Sequence, residues 1–287
     1  MRTDNGVVER HLSELASEIS GHEVGPDEPL GLDSLQRAEI AFALEERLGV
    51  RFPGNLAFGT LAEAAAGIEE LPGRSASERP ALEKGTGHLH WLGKAVSGAP
   101  LRTYYRMEVF GRENVPGSGP AVLAMNHDSL LDIPILVAAI PRTVWFMAKQ
   151  ELFSRPFKSW FFHVLGGFPV SRGGYDLKGI RSALEVVKRG RLLGMYPEGT
   201  RTRGLGPFLP GAAWVALSTG AQIIPTALKG TGESMASGAI LPRRTRVIVR
   251  FGEPMEPGIE GSPKRRIKRA REVTAELRAA VEQLLAG

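Results

Sequence analysis

The stretch of sequence that decides the fold runs from residue 121 to residue 132 and reads AVLAMNHDSLLD. Its first five residues are an uninterrupted apolar run, which is typical of a buried strand. The polar segment that follows places His127 and Asp132 five residues apart, directly after that strand. A histidine held by a carboxylate is a general base suited to neutral pH. The stretch therefore predicts a strand that ends in an acid–base pair able to deprotonate a hydroxyl.

Apolar runs of the same kind recur along the rest of the chain. We predict further strands at 144–148, 167–170, 192–196, 222–228 and 246–251. Segment 176–189 and the C-terminal segment 263–285 have apolar residues at helical spacing. Strands that alternate with helices predict an α/β catalytic domain in which a mixed sheet is flanked by helices.

The N-terminal part of the chain has a different pattern. Residues 7–20, 35–48 and 61–71 each place apolar side chains at helical spacing, which predicts a small all-α bundle over residues 1–72. Residues 73–87 lack periodicity and are rich in Pro, Gly and Ser, as linkers are. We therefore predict two domains, 1–72 and 88–287, joined by that linker.

Charge separates the same two parts. The chain has a net charge of +5, but residues 1–72 contain 14 acidic and 5 basic residues, so that part is −9 and the remainder is +14. An acidic module can dock on basic protein surfaces, and a basic one can hold phosphate-bearing substrates or lie on an anionic membrane. The chain has no cysteine, which excludes disulfides, cysteine nucleophiles and thiolate metal sites.

The sequence predicts a cytoplasmic chain that contacts the inner face of a membrane only peripherally. Its first residues lack the signal-peptide pattern, and no apolar run reaches the roughly 18 residues of a spanning helix. Segment 152–162 mixes aromatic and basic residues, which suits either a membrane interface or a core with solvated cations. Basic segment 264–271 lies on an amphipathic helix without another nucleic-acid signature, so no nucleic-acid partner is expected.

Ser34 stands at the start of the second predicted helix. In the segment GLDSL, residues 31–35, it is expected to be the N-cap of a helix that begins at about Leu35, with an exposed hydroxyl. A helix N-terminus favours an attached phosphate. Capping alone would also explain the serine.

The surrounding residues, LGLDSL at 30–35, AEI at 38–40 and LEERLGV at 44–50, strongly resemble acyl carrier proteins and polyketide-type carrier domains. The resemblance covers residues 5–72. It implies a four-helix bundle with 4′-phosphopantetheine attached to Ser34, and hence a phosphopantetheinyl transferase as partner. Gln36 and Arg37 depart from the acidic residues common there, which changes the surface of the second helix that partners recognise.

Three further blocks follow the His127 motif in order: GFPVSRGG at 167–174, YPEGTR at 196–201 and IIPT at 223–226. Together these motifs resemble the glycerolipid acyltransferase family over about residues 100–255. The resemblance implies His127 as the base and Asp132 as its orienting partner, with no metal. It also implies an acceptor and phosphate site composed of Glu198, Gly199, Thr200, Arg201, Arg172 and Lys149.

The function implied is transfer of a fatty acyl group from a phosphopantetheine thioester to a hydroxyl of a lysophosphatidic-acid-like acceptor. The thioester belongs to the chain's own carrier or to a partner carrier. One alternative keeps the chemistry but uses acyl-coenzyme A, with the carrier as a regulatory passenger. A second changes the acceptor to a lyso-ornithine lipid or a specialised metabolite. A third is a non-catalytic carrier and lipid-binding scaffold. Each residue also has a structural alternative; Glu198, for example, could hold a turn by accepting backbone N–H bonds.

Overall fold

The computed structural model describes residues 5–51, 59–66, 68–70, 98–170, 177–235 and 242–287. The predicted linker, residues 73–87, and the predicted phosphate-binding residue Arg172 lie outside these ranges. The domain boundaries at 72 and 88 also lie outside them and stay predictions.

The carrier-like domain is built mainly from helices. Its described elements are, in order, α1 (Asn5–Ser20), α2 (Ser34–Leu48), β1 (Val50–Arg51), α3 (Leu61–Ala66) and β2 (Glu69–Glu70). The first two helices match the prediction to within two residues at either end. The third predicted helix, 61–71, is wrong at its end, because residues 69–70 pair antiparallel with β1. The described residues of this domain contain three helices, and the predicted four-helix count stays a prediction.

The start of α2 corrects the prediction for Ser34. The N-cap is Asp33, whose backbone is extended and whose carboxylate accepts from the Gln36 backbone N–H at 2.8 Å. The Gln36 side chain accepts in return from the Asp33 backbone N–H at 2.9 Å. This reciprocal capping box fixes the helix start one residue earlier than expected, because a carboxylate and an amide satisfy two free donors together. Ser34 is then the first helical residue, and it is exposed as predicted.

The larger domain alternates strands and helices. Its helices are α4 (residues 98–104), α5 (Asp132–Ala139), α6 (Pro156–Val164), α7 (Leu177–Lys188), α8 (Gly211–Thr219), α9 (Thr231–Ser234) and α10 (Pro263–Ala286). Its strands are β3 (Glu108–Phe110), β4 (Ala121–Met125), β5 (Val144–Lys149), β6 (Gly167–Val170), β7 (Leu192–Met195), β8 (Gln222–Lys229) and β9 (Ile248–Phe251). All six predicted strands are present.

These strands form one mixed sheet in the order β3-β9-β8-β4-β7-β5-β6. Neighbours pair in parallel except β8 and β9, which are antiparallel. The predicted mixed sheet flanked by helices is therefore confirmed. All five residues of β4 are buried, as its uninterrupted apolar run requires for a central parallel strand. Strand β3 was not predicted, because three residues at the sheet edge are too few to show a periodicity.

The two domains pack against each other in the structure. Helices α1 and α2 contact α10 of the larger domain. The Phe42 ring lies 5.2 Å from the Trp214 ring, measured between centroids. Arg181 of α7 forms an ion pair with Glu45 of α2. The carrier-like domain therefore lies on the surface that α7, α8 and α10 provide.

Within the described ranges, no helix combines the length and the apolar composition needed to cross a bilayer.

Candidate active site

The predicted acid–base pair is present. His127 follows β4, and Asp132 is the first residue of α5. His127 Nδ1 and Asp132 Oδ2 are 2.8 Å apart, and the Asp132 side chain is fully buried. Asp132 Oδ2 also accepts from the backbone N–H groups of Asp128 and Ser129, at 3.0 and 2.9 Å. Three donors thus fix one carboxylate oxygen, which in turn fixes the orientation of the imidazole.

Glu198 connects this pair to the next strand of the sheet. Strand β7 runs parallel to β4, so the residues that follow both strands meet at one edge. Glu198 Oε1 accepts from the His127 backbone N–H at 2.9 Å. Its Oε2 accepts from the Gly206 N–H at 3.0 Å and from the Thr202 hydroxyl. The Thr202 N–H donates to the His127 carbonyl at 3.0 Å. Glu198 therefore holds the loop against His127, as predicted if its role is to accept backbone N–H bonds.

An aromatic ring supports the histidine on one face. Tyr196 follows β7, and its ring stacks on the His127 ring with centroids 4.0 Å apart and an interplanar angle of 25°. Burial raises the pKa of Tyr196 well above its ordinary value, and the nearby Asp132 carboxylate adds to that rise. Tyr196 therefore stays protonated and acts as a neutral stacking surface. The sequence analysis gave this tyrosine no role.

Two further polar residues brace the strand end. The Asn126 side chain donates to the Leu228 carbonyl at 2.9 Å and accepts from the Leu228 N–H at 2.8 Å. Ser129 does not cap the following helix, because the N-cap of α5 is Leu131. The Ser129 hydroxyl instead donates to the Met235 carbonyl at 3.0 Å. Both side chains therefore bind backbone groups of β8 or of the loop after α9, which sequence reasoning could not identify.

The structure brings together some of the predicted acceptor residues. Gly199, Thr200 and Arg201 directly follow Glu198 and are exposed. Gly199 has φ +68°, a left-handed conformation that glycine adopts without steric cost. Lys149 ends β5, which is parallel to β7, so its backbone lies at the same edge of the sheet. Its side chain and the whole of Arg172 lie outside the description, and their phosphate-binding roles stay predictions.

Asp128 is a residue of the site that the sequence analysis did not single out. It is half-buried beside His127 and lies against Gly232, where an added Cβ would come within 3.1 Å of the Asp128 Cβ. Burial above all, together with the Asp132 and Glu198 carboxylates, raises the pKa of Asp128 to about 6, although His127 opposes the rise. Asp128 therefore changes charge close to neutral pH inside the site.

We predict that Asp128→Asn changes the pH dependence of stability. A carboxyl whose pKa is higher in the folded than in the unfolded protein stabilises the fold at low pH, and this contribution is lost as the pH rises through the folded value. The pKa rises from 3.8 to about 6, so wild type should lose stability relative to Asp128→Asn across that range. Urea unfolding at a series of pH values measures the difference. Glu253→Gln, at an exposed position of the same domain, is the control. Parallel curves for wild type and Asp128→Asn would contradict the assignment.

Fold and site together define an acyltransferase-type α/β protein with a helical carrier-like domain. Residues 106–229 match the acyltransferase family, and residues 11–68 match the phosphopantetheine attachment site family. A 1-acyl-sn-glycerol-3-phosphate acyltransferase of Bacillus subtilis is 30% identical over 150 residues, which cover 52% of this chain and 73% of the relative. A chloroplastic enzyme of the same name from Brassica napus is 32% identical over 155 residues, covering 52% of this chain and 45% of the relative.

The fold has a counterpart among solved structures. The crystal structure of a 1-acyl-sn-glycerophosphate acyltransferase from Thermotoga maritima superposes with a TM-score of 0.53 at 27% identity, covering 69% of this chain and 78% of the other. The chain thus belongs to the 1-acyl-sn-glycerol-3-phosphate acyltransferase family and contains, in addition, a domain of the phosphopantetheine attachment type. It spans less than half the length of the Brassica napus relative, at 45%.

Proposed function

We propose that this protein transfers a fatty acyl group from a phosphopantetheine thioester to a hydroxyl of a lysophosphatidic-acid-like acceptor. The observation that supports the proposal most is the 2.8 Å contact between His127 Nδ1 and the buried Asp132 carboxylate, placed after a central parallel strand. Crevices at the carboxyl ends of parallel strands are where open α/β sheets bind their ligands. The family and the carrier-like domain agree with this chemistry.

His127 is the general base in this proposal. Asp132 binds Nδ1, so Nε2 is the ring nitrogen that faces the acceptor hydroxyl. As the hydroxyl oxygen attacks the thioester carbonyl, Nε2 takes its proton, and Asp132 stabilises the imidazolium that results. The C–S bond of the thioester then breaks, and Nε2 gives the proton to the departing thiolate sulfur. Glu198 acts through the backbone of His127, holding the base and the 199–206 loop in one arrangement. It is a positioning residue in this scheme.

Ser34 is the proposed attachment site of the donor group. Its residue type, its exposure and its place at the start of α2 fit a phosphodiester linkage, because a modifying enzyme must reach the hydroxyl. When bound, phosphopantetheine supplies a thiol that holds the acyl group as a thioester. A phosphopantetheinyl transferase is therefore a proposed partner.

The acceptor side of the proposal is supported by the charge near Glu198. Arg201 is exposed three residues beyond it, and Lys149 is placed at the same sheet edge by its backbone. Cations at this edge would bind a phosphate that bears two negative charges, and Arg172 is proposed to add a third cation. A lyso-ornithine lipid or another acceptor without phosphate would contact fewer of these cations.

We also propose contact with the surface of a membrane, at its inner face in the cytoplasm. On α6, Trp160 and Phe161 are 48% and 41% exposed, although both are large and aromatic. Leu130, between His127 and Asp132, is 42% exposed, and Leu209, in the loop after Glu198, is 58% exposed. Aromatic side chains at the interface and apolar residues around the site suit a lipid acceptor.

The proposal is tested by acceptor screening with protein that has been modified at Ser34 and loaded with an acyl chain. We expect phosphatidic acid as product from lysophosphatidic acid, and at least about tenfold less product from an acceptor that lacks the phosphate, since one lost ionic contact costs that much. Mass spectrometry of extracted lipids measures both. Equal turnover with lyso-ornithine lipid would contradict the phosphate acceptor, and no thioester consumption with any acceptor would favour a non-catalytic scaffold.

A further inference from the structure

Arg278 of α10 binds the loop that follows Glu198, and no step of the proposed mechanism uses it. Its Nε donates to the Gly206 carbonyl at 3.2 Å, and its Nη2 donates to the Leu205 carbonyl at 3.4 Å. These bonds span 72 and 73 residues of the chain. Helix α10, which lies outside the part of the chain that matches the acyltransferase family, therefore contacts the 199–206 loop of the candidate active site.

Gly206 joins this arginine to the residues that hold the base. Its N–H donates to Glu198 Oε2 at 3.0 Å, while its carbonyl accepts from Arg278. Glu198 Oε1 in turn accepts from the His127 backbone N–H at 2.9 Å. A Cβ added to Gly206 would lie 2.8 Å from Glu198 Oε2, so this close approach requires a glycine. An unbroken series of hydrogen bonds therefore runs from Arg278 to the backbone of His127.

Helix α10 is a firm support for this arginine. The helix packs against α8 and β8. Leu277, directly before Arg278, and Val281, three residues after it, are both buried. Near the end of the helix, Lys229 Nζ donates to the Leu285 carbonyl at 3.1 Å. Because close packing fixes the helix on both sides of Arg278, its guanidinium can restrain a loop that is less well held.

The 199–206 loop contains residues proposed to bind the acceptor phosphate, but it gives them little support of its own. Gly199 and Gly204 both have left-handed backbones, with φ +68° and +76°. Such glycines leave the loop many other backbone conformations. Within the described ranges, the Arg201 side chain makes no hydrogen bond or ion pair, so its position follows that of the loop backbone. An anchor on the loop therefore also restrains the Arg201 guanidinium.

We propose that Arg278 is a positioning residue that anchors the 199–206 loop to α10 and thereby sets the affinity for the acceptor phosphate. This inference rests on the proposed function, because Arg201 is the cation of that loop proposed to contact the phosphate. The base has its own support, since three donors fix the Asp132 carboxylate that orients His127. Loss of Arg278 should therefore weaken acceptor binding more than it slows the chemical step.

The test uses the full-length protein and two readouts. Hydrogen exchange followed by mass spectrometry reports how firmly residues 199–209 are held, without any turnover. In Arg278→Ala we expect their amides to exchange about tenfold faster, because the loop loses two hydrogen bonds from a charged group. Single-turnover transfer from acyl-loaded protein to lysophosphatidic acid, at a series of concentrations, is the second readout. The half-saturating concentration should rise about tenfold, while the maximal rate changes much less.

Three further variants make the result specific. Arg278→Lys keeps the charge and the aliphatic stem but lacks the fork of a guanidinium, so it should restore only part of the affinity. It also carries the test if Arg278→Ala does not fold. Glu282→Gln removes the 3.3 Å ion pair that Arg278 makes along α10 and leaves both carbonyl bonds in place. Arg269→Ala removes an arginine whose described ion pairs are with Glu272 and Glu276 of the same helix. These last two variants should behave as wild type in both assays.

The outcomes separate this inference from the proposed function. Faster exchange of residues 199–209 in Arg278→Ala, together with a higher half-saturating concentration, supports the inference. Unchanged exchange overturns it, and so does an unchanged half-saturating concentration with a lower maximal rate, which is what a general loss of active protein produces. If the wild type forms no phosphatidic acid while the loop still exchanges faster in Arg278→Ala, the proposed function is wrong, and the anchoring of the loop by Arg278 is still supported.

Discussion

His127→Ala is expected to lower acyl transfer by about 10²–10⁴-fold, the range that a positioned general base supplies. Without the imidazole, the acceptor hydroxyl must lose its proton to water as it attacks the thioester. The rate of product formation from acyl-loaded protein and lysophosphatidic acid measures the loss. Acceptor binding should persist, because the proposed phosphate contacts come from Arg201, Arg172 and Lys149.

Asp132→Asn is the informative companion to this variant. Asp132 Oδ2 accepts from the imidazole and from two backbone N–H groups, and an amide oxygen in its place stabilises an imidazolium much less well. The acyl-transfer rate of Asp132→Asn should therefore also fall, and the binding of lysophosphatidic acid should be unchanged. Turnover of His127→Ala within a few-fold of wild type would show that another group takes the proton, and the assignment of the base would then be wrong.

Ser34→Ala is expected to abolish transfer that depends on the chain's own carrier. The substitution removes the only hydroxyl proposed for attachment while leaving the capping box of Asp33 and Gln36 in place, so α2 should keep its structure. Protein produced with a phosphopantetheinyl transferase should show the added group by intact mass in wild type and none in the variant. Ser13→Ala, in α1 of the same domain, is the matched control and should be modified and active.

The same variant decides between the two donors. Acyl-coenzyme A supplied to Ser34→Ala should give no product if the donor is a carrier thioester. Product at the wild-type rate would instead show that coenzyme A thioesters are used directly and that the carrier-like domain is a passenger. A separate acyl-loaded carrier that restores activity to the variant would show that the thioester can also arrive from a partner chain.

The sequence alone was sufficient for six of the seven strands of the large sheet and for the position of the proposed base. Each apolar run is a local signal that a strand is buried on both faces, and the six runs became β4 to β9 with bounds shifted by at most two residues. The motif around His127 was also local, since Asp132 returns to the imidazole within five residues. The edge strand β3 and the strand β2 were missed, because two or three residues contain no period to detect.

The tertiary structure decided how the site is held together. The bonds from His127 to Glu198 span 71 residues, and those from Asn126 to Leu228 span 102. No pattern along the chain indicates such partners, because they depend on which strands become neighbours. The pKa of Asp128 has the same origin: its rise to about 6 comes from burial and from two carboxylates that the fold places nearby.

The interface between the domains shows most clearly what the sequence determines and what only the tertiary structure decides. Composition alone established that residues 1–72 are acidic and the remainder basic, so docking between unlike charges could be predicted. It could not indicate that Glu39 is buried, because Glu39 is one of three acidic residues on the same helix. Only the packed structure removes Glu39 from water and pairs it with Trp214, 175 residues away, and with Arg266, 227 residues away. Net charge is a sum over residues, whereas desolvation depends on what lies against each one, and only the folded chain determines that.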